Sequence, residues 1–170
     1  RERHLDLCDA LVGRAREVAE ICGRLAPPAA ARLLTIVGAG GMGKTKLALA
    51  VGQAFLEVGS PITDPVADAL VNQPNLQGAK PAYPDGIFYV TLASLSEAGA
   101  IAPTLATTVG LNVQGDPPAA VLRWVRDKRL LLILDNFEHL LAGAGFVVEL
   151  LQAAPALQIL VTSRERLILP

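Results

Sequence analysis

The chain alternates short apolar runs with longer stretches in which apolar residues recur every three or four positions. The short runs are typical of strands that are buried on both faces, and the recurring pattern is typical of amphipathic helices. The runs that predict strands are 33–37, 87–92, 130–134 and 157–161. Buried strands separated by helices predict an α/β fold of three layers, α/β/α, around a mainly parallel sheet.

Several helix starts are also readable from the sequence. Ser94 and Glu97 match the pattern of a capping box, which predicts a helix with Ser94 as its N-cap. Asp116, followed by two prolines, predicts the start of another helix. A further helix is predicted from about Glu138 to Ala153, directly after the strand at 130–134.

One domain is expected over residues 11–170, after a lead-in at 1–10. Residues 59–85 differ from the rest, because prolines and glycines punctuate a polar stretch that lacks periodicity. We therefore expect a flexible insertion there, longer than a usual compact connection. The chain does not begin with Met, so we expect it to be a fragment of a longer protein.

Composition and charge exclude several classes of function. The 170 residues are 52% hydrophobic and 18% charged, with a formal net charge of −1 and no cluster of lysines and arginines. Binding of nucleic acid by this segment is therefore not expected. No apolar run is long enough to span a membrane and no secretory signal is visible. Cys8 and Cys22 lie outside any metal-ligand pattern, so a cytoplasmic setting is expected.

The segment between the first predicted strand and the next helix is rich in glycine. It reads Gly38-Ala39-Gly40-Gly41-Met42-Gly43-Lys44-Thr45 and fits G-x-x-x-x-G-K-[ST], the Walker A phosphate-binding loop. Backbone N–H groups and the helix N-terminus favour phosphate there, and Lys44 is expected to reach the β- and γ-phosphates. The candidate nucleotide-binding residues of this segment are Gly38, Gly40, Gly41, Met42, Gly43, Lys44, Thr45 and Lys46.

Asp135 ends the apolar strand at 130–134, which is the Walker B arrangement. Ligands of open α/β sheets collect at the carboxyl ends of the strands, where this carboxylate is expected. Asp135 and the hydroxyl of Thr45 are therefore the predicted Mg²⁺-binding residues.

Hydrolysis requires a group that orients or deprotonates the attacking water. Many P-loop ATPases place an acidic residue directly after the Walker B aspartate, but here that residue is Asn136. Glu138 is the nearest carboxylate and the candidate catalytic residue; the alternative is that it only favours a helix N-terminus. Slow or absent hydrolysis is therefore expected.

Arg164 follows the fourth predicted strand directly, at its carboxyl end. If that strand lies beside the phosphate-loop strand, the guanidinium could reach a γ-phosphate and report its presence. The alternative is a surface arginine paired with Glu165 or Glu138. Arg166 is a less favoured competitor for the same role.

Taken together, these motifs resemble the STAND class of signal-transduction ATPases. Within it, the likeness is to the NB-ARC-related nucleotide-binding domain of large bacterial transcriptional regulators of the AfsR/SARP and LuxR types. The segments that resemble the family are Leu-Val-Gly-Arg at 11–14, the loop at 37–45, Pro-Asp-Gly-Ile-Phe-Tyr-Val at 84–90, Leu-Asp-Asn-Phe-Glu-His at 134–139 and Leu-Val-Thr-Ser-Arg-Glu at 160–165.

The resemblance implies features that spacing alone does not show. The strand before Arg164 would lie between the phosphate-loop strand and the Walker B strand. Val12, Gly13 and Arg14 would line the adenine side, and Arg164 would sense the γ-phosphate. ADP would hold a resting form, and exchange for ATP would permit self-assembly.

Family members continue past residues 169–170 into another edge strand, a helical domain and a winged-helix domain. By this comparison the sheet is truncated before its last edge strand, and those flanking domains are missing partners. Because a residue of the helical domain normally closes the pocket, the affinity for nucleotide is expected to be reduced.

The leading hypothesis is an ATP/ADP-binding switch module of a multidomain signal-transduction or transcriptional regulator. The alternative is a productive enzyme, either an AAA+-like ATPase motor or a small-molecule kinase, although no arginine-rich lid is evident. A GTPase is disfavoured because the chain has no N-K-x-D motif. A scaffold that binds no nucleotide is disfavoured by the intact Lys44, Thr45 and Asp135.

Overall fold

The structure is a computed structural model that describes residues 14–26, 31–57 and 81–167. The predicted lead-in at 1–10, the adenine-side residues Val12 and Gly13, and most of the predicted insertion at 59–85 lie outside the described residues. In chain order the helices and strands are α1 (Ala15–Leu25), β1 (Leu33–Val37), α2 (Lys44–Glu57), β2 (Ile87–Thr91), α3 (Ile101–Thr108), α4 (Pro117–Val125), β3 (Leu131–Asp135), α5 (Ala144–Ala153) and β4 (Gln158–Ser163). None of these helices combines the length and the hydropathy of a membrane span.

The strands form a four-stranded sheet in the order β1-β4-β3-β2, and every neighbouring pair is parallel. The parallel α/β fold predicted from the apolar runs is therefore confirmed. The strand before Arg164 lies between the phosphate-loop strand and the strand that ends at Asp135, as the family resemblance implies. Val37 pairs with Ser163 and Thr91 with Asp135, so the carboxyl ends of the strands meet at one edge of the sheet.

Apolar side chains cover both faces of the sheet and complete the three layers. One core joins alternate residues of the strands to α3, α4 and α5, and the other joins the opposite residues to α1 and α2. All five residues of β3 are buried, because this strand lies inside the sheet and is covered on both faces. Burial of β3 places Asp135 at the end of the most enclosed strand.

Of the two helix starts predicted from capping residues, one differs from the structure. The predicted capping box is wrong: Ser94 lies in a turn closed by the Leu95 N–H, which donates to the Leu92 carbonyl at 3.0 Å. A helical turn at Ala98–Ala100 then leads into α3, and Glu97 makes no side-chain cap. The helix after Asp116 begins as predicted, although Asp116 makes no side-chain capping bond either.

The helix predicted from Glu138 is interrupted. Tight 3₁₀ turns at Phe137–His139 and Leu141–Gly143 precede α5, which begins only at Ala144. Their N–H groups bond three residues back, from Leu140 to Phe137 at 2.9 Å and from Gly143 to Leu140 at 2.7 Å. With these turns, Phe137 and Leu140 are buried in the core beside the sheet. The free energy gained by burying them outweighs the preference of the segment for a continuous helix.

Candidate functional site

The glycine-rich loop connects the end of β1 to the start of α2 at the carboxyl edge of the sheet. Gly41 and Gly43 have φ values of 78° and 74°, a left-handed conformation that residues with a Cβ rarely adopt. The Gly38 N–H donates to the Ser163 carbonyl at 3.3 Å, which ties the loop to β4. The loop therefore contains two glycines in a conformation that favours glycine, and it lies directly before the N-terminus of α2.

Lys44 folds back over this loop. Its Nζ donates to the carbonyl oxygens of Gly38 at 2.7 Å and Ala39 at 2.9 Å. In the part of the chain that the structure describes, Lys44 makes no ion pair with a carboxylate. Its positive charge therefore lies against two backbone carbonyls of the loop, and no carboxylate of the described residues neutralises it.

Asp135 is the buried acceptor around which the site is built, with 2% of its surface exposed. The Thr45 hydroxyl lies 2.9 Å from each carboxylate oxygen, and the Tyr89 hydroxyl donates to Oδ2 at 2.9 Å. Thr162 donates to Oδ1. Hydroxyls from α2, β2 and β4 thus fix the orientation of the carboxylate.

The local sequence pattern marks neither Tyr89 nor Thr162 as a site residue. Thr162 lies within the 160–165 segment of the family resemblance, one residue before the end of β4. Tyr89 lies two residues before the end of β2, in an apolar run whose pattern predicts only a buried strand. The available signal was a hydroxyl near the carboxyl end of a strand that neighbours Asp135.

The oxygen atoms of Thr45 and Asp135 match the chemistry of a Mg²⁺ site. Mg²⁺ prefers oxygen ligands, keeps several waters and is usually bound by one or two carboxylates together with substrate phosphates. Within the described ranges, no group of three His, Cys, Asp or Glu residues could hold a metal ion. A site with one carboxylate and one hydroxyl therefore suits a hydrated Mg²⁺ better than a metal that needs a full protein cage.

Asn136 turns the chain immediately after Asp135. It has φ 63° and ψ 53°, and it is the sole residue other than glycine with positive φ among the described residues. Asparagine tolerates this left-handed conformation better than most residues. Its N–H donates to the Thr162 hydroxyl at 3.0 Å, so the turn is bonded to the same threonine as Asp135.

Arg164 lies above the glycine-rich loop and forms an ion pair. Its guanidinium carbon lies 3.6 Å from the position that a Cβ on Gly40 would occupy. Its Nε lies 3.0 Å from Oε1 of Glu138. The structure thus contains the Arg164–Glu138 pair named as an alternative in the sequence analysis, and it also places the guanidinium beside the loop.

The two carboxylate oxygens of Glu138 differ in their bonding. Glu138 Oε2 is buried and has no hydrogen-bond partner among the described residues. The side chain of Glu138 is 16% exposed, whereas that of Arg164 is 63% exposed. Glu138 is therefore the enclosed partner of the pair and Arg164 the accessible one.

The remaining candidate residues differ in their proximity to the loop. The Arg14 guanidinium carbon lies 4.0 Å from the position of a Cβ on Gly43, and its Nε lies 3.5 Å from Glu17 Oε2. Met42 is 53% exposed, and Lys46 and Arg166 are also exposed. The structure thus brings Arg14, Lys44 and Arg164 to one loop.

The sequence of the chain matches a protein family and is similar to mycobacterial proteins. A family model described as "AAA domain" matches residues 29–167. A "Putative HTH-type transcriptional regulator" of Mycobacterium bovis is 38% identical over 137 residues, which are 79% of this chain and 13% of that protein. An uncharacterized protein of Mycobacterium tuberculosis is 30% identical over 166 residues, which are 96% of this chain and 35% of that protein. The chain therefore spans only a minor part of either relative.

Solved structures resemble the fold at low sequence identity. Cdc6p from Pyrobaculum aerophilum has a TM-score of 0.60 and 12% identity, over 96% of this chain and 42% of that one. The Aeropyrum pernix ORC2 protein in ADPNP–ADP complexes has a TM-score of 0.55 and 16% identity, over 90% of this chain and 41% of that one. These similarities concern the fold alone.

Proposed function

Because this chain belongs to the AAA domain family and is a P-loop ATPase-like domain, we propose that it is the ATP/ADP-binding switch module of a larger regulator. The 38% identical relative, which is named for transcriptional regulation and is much longer, supports a multidomain regulator as the parent. The motifs support the STAND class, with an NB-ARC-like domain of an AfsR/SARP- or LuxR-type protein as the finer assignment.

The bond between Thr45 and Asp135 is the observation that best supports this function. It joins the residue after the Walker A lysine to the Walker B carboxylate at 2.9 Å, across 90 positions of the chain. If the glycine-rich turn bound no ligand, the adjacent buried carboxylate and the hydroxyls that hold it would have no evident function. The same geometry is suited to a phosphate on the loop and a hydrated Mg²⁺ beside it.

Each part of the loop has a proposed role. Loop amides and the N-terminus of α2 would bind phosphate oxygens, and Lys44 would move from the loop carbonyls onto the β- and γ-phosphates. Thr45 and Asp135 would hold Mg²⁺, which when bound neutralises part of the phosphate charge. Arg14, with Val12 and Gly13, would contact the adenine side, and Lys46 would extend the positive charge of the first helical turn.

Slow hydrolysis is part of the proposal. Asn136 cannot accept a proton in the position where many P-loop ATPases have a carboxylate, and Glu138 pairs with Arg164 through one oxygen. We expect turnover well below the enzyme median of about 10 s⁻¹. The Oε2 of Glu138, which is buried and has no hydrogen-bond partner among the described residues, favours a second candidate, an active ATPase in which this oxygen accepts the proton of water.

The test is a titration of the chain with ATP, ADP and GTP in the presence of Mg²⁺. We expect a preference for adenine nucleotides and, for Lys44→Ala, loss of most of the affinity, because the ammonium that offsets phosphate charge is removed. Lys128→Ala is the matched control, since Lys128 pairs with Asp85 at 3.8 Å, away from the glycine-rich loop. Equal binding of GTP would refute the STAND assignment, and unchanged binding by Lys44→Ala would refute the site.

A further inference from the structure

Arg164 is placed between two negative partners, one present in the structure and one supplied by the proposed ligand. The guanidinium pairs with Glu138 at 3.0 Å and lies 3.6 Å from the Cβ position of Gly40 in the loop. It therefore reaches the edge of the loop while it is held by a carboxylate. A terminal phosphate on the loop would compete with Glu138 for the same cation.

The local fold holds Glu138 in place for this competition. It belongs to the Phe137–His139 turn, whose first residue, Phe137, is completely buried. His139 Nε2 lies 3.0 Å from the Leu92 carbonyl, which ties the same turn to the end of β2. Because Glu138 is fixed on both sides, movement of Arg164, the more exposed partner, is the easier way to separate the pair.

Separation of the pair is unfavourable for Glu138. Its Oε2 is already buried without a partner among the described residues, and loss of Arg164 would leave Oε1 unpaired as well. An enclosed carboxylate without a partner is disfavoured because it has lost its water without gaining hydrogen bonds. Arg164 suffers less, since water can solvate an exposed guanidinium.

We propose that Glu138 determines how strongly the site distinguishes ATP from ADP, because it holds Arg164 in an ion pair that only a γ-phosphate displaces. ADP leaves the pair intact, whereas ATP binds with Arg164 only after the pair is broken. Glu138 is thus a positioning and specificity-determining residue that acts through Arg164. The inference rests on the proposed nucleotide site, with Arg164 as the sensor of the terminal phosphate.

The test measures the dissociation constants of ADP and of a non-hydrolysable ATP analogue. Glu138→Gln keeps the size of the side chain but removes its charge, so we expect the analogue to bind about 5- to 20-fold more tightly, within the usual range of coupling between sites. ADP affinity should not change. Glu165→Gln is the matched control, because Glu165 is the exposed neighbour of Arg164 and forms no ion pair among the described residues.

A double-mutant cycle tests whether Glu138 acts through Arg164. Arg164→Ala should remove most of the discrimination between the analogue and ADP, and adding Glu138→Gln to it should then change neither affinity. Glu138→Asp, which keeps the charge but shortens the reach, should favour the analogue more weakly. It provides a second variant if thermal melting shows that Glu138→Gln does not fold.

The outcomes separate this inference from the proposed function. If Lys44→Ala abolishes binding and Arg164→Ala removes discrimination, but Glu138→Gln leaves the affinity ratio unchanged, only the role of Glu138 is wrong. If Glu138→Gln instead abolishes hydrolysis without tightening the analogue, Glu138 is a base and the inference is overturned. If the unmodified chain binds neither nucleotide, the proposed function itself fails.

Discussion

At the scale of single residues, the hydroxyl of Tyr89 contacts the candidate metal ligand Asp135, although Tyr89 belongs to an apolar strand. It donates to Oδ2 of Asp135 at 2.9 Å, while Thr45 and Thr162 donate to the same carboxylate. Groups that bond to a metal ligand hold it in the orientation that the metal needs, and their loss typically costs 10- to 100-fold in metal affinity or activity. Tyr89 would thus support the proposed Mg²⁺ site without touching the ion.

We predict that Tyr89→Phe weakens nucleotide binding roughly tenfold in the presence of Mg²⁺ and leaves binding in EDTA unchanged. The ring is retained, so packing of β2 is preserved while the donor to Asp135 is lost. Titration with ADP in both buffers measures the effect. Tyr83→Phe is the control, because Tyr83 donates to Gln158 rather than to Asp135. Equal weakening in both buffers would show that Tyr89 supports the fold rather than the metal site.

The sequence could predict some of these residues and not others. Lys44, Thr45 and Asp135 are recognisable because each follows from its position relative to one strand and one helix. The bonds of Tyr89 and Thr162 to Asp135 depend on which strands are neighbours and in which register, and a local pattern contains neither. The binding roles proposed for these residues remain predictions.

At the scale of elements, the strands were predictable because each is a continuous apolar run in the buried layer of the sheet. The segment after β3 was not, since two 3₁₀ turns replace the predicted start of α5. Close packing explains why. A Cβ on Gly143 would overlap Cδ1 of Ile101, the first residue of α3, so the chain approaches α3 more closely than a side chain would allow.

The surroundings of Gly143 and Gly145 predict opposite effects when each is replaced by alanine. Gly143→Ala should destabilise the protein by about 1–3 kcal/mol, because the added Cβ would overlap Cδ1 of Ile101, a fully buried side chain that would have to shift. Gly145→Ala should stabilise it by roughly 0.5–1 kcal/mol, since no described residue other than the neighbouring helix backbone lies within 4 Å of the added Cβ and alanine favours α5. Urea unfolding measures both. A destabilised Gly145→Ala, or an unaffected Gly143→Ala, would contradict this packing.

At the scale of the whole molecule, the side chain of Gln158, the first residue of β4, bonds to distant parts of the chain. It accepts from the Tyr83 hydroxyl at 2.8 Å and donates to the carbonyls of Leu25 at 2.9 Å and Ala31 at 2.7 Å. The side-chain amide of Gln158, at the start of β4, thus links the end of α1 to the segments before β1 and before β2. Burial in this region raises the pKa of the Tyr83 phenol and that of the Cys22 thiol.

These shifts predict a loss of stability at high pH. The folded chain retains protons that the unfolded chain releases above the ordinary pKa values of 9.0 for Cys22 and 10.0 for Tyr83. The stability that these two groups contribute is therefore complete below pH 9 and falls as the pH rises, most strongly above pH 10. Guanidinium unfolding at pH 7, 9 and 11 measures the decline, which should be shallower in Cys22→Ala/Tyr83→Phe. An identical slope in that variant would contradict the assignment to these groups.

The hydrogen bonds to Asp135 also bear on how the molecule assembles. Thr45, Tyr89 and Thr162 lie 90, 46 and 27 positions away along the chain, so each bond closes a long loop and entails its own loss of chain entropy. A folding intermediate in which α2, β2 or β4 has not docked lacks at least one of these donors. A ligand bound at this carboxylate would therefore favour the completely assembled chain over every partial structure, and its concentration would directly raise the proportion of fully folded molecules.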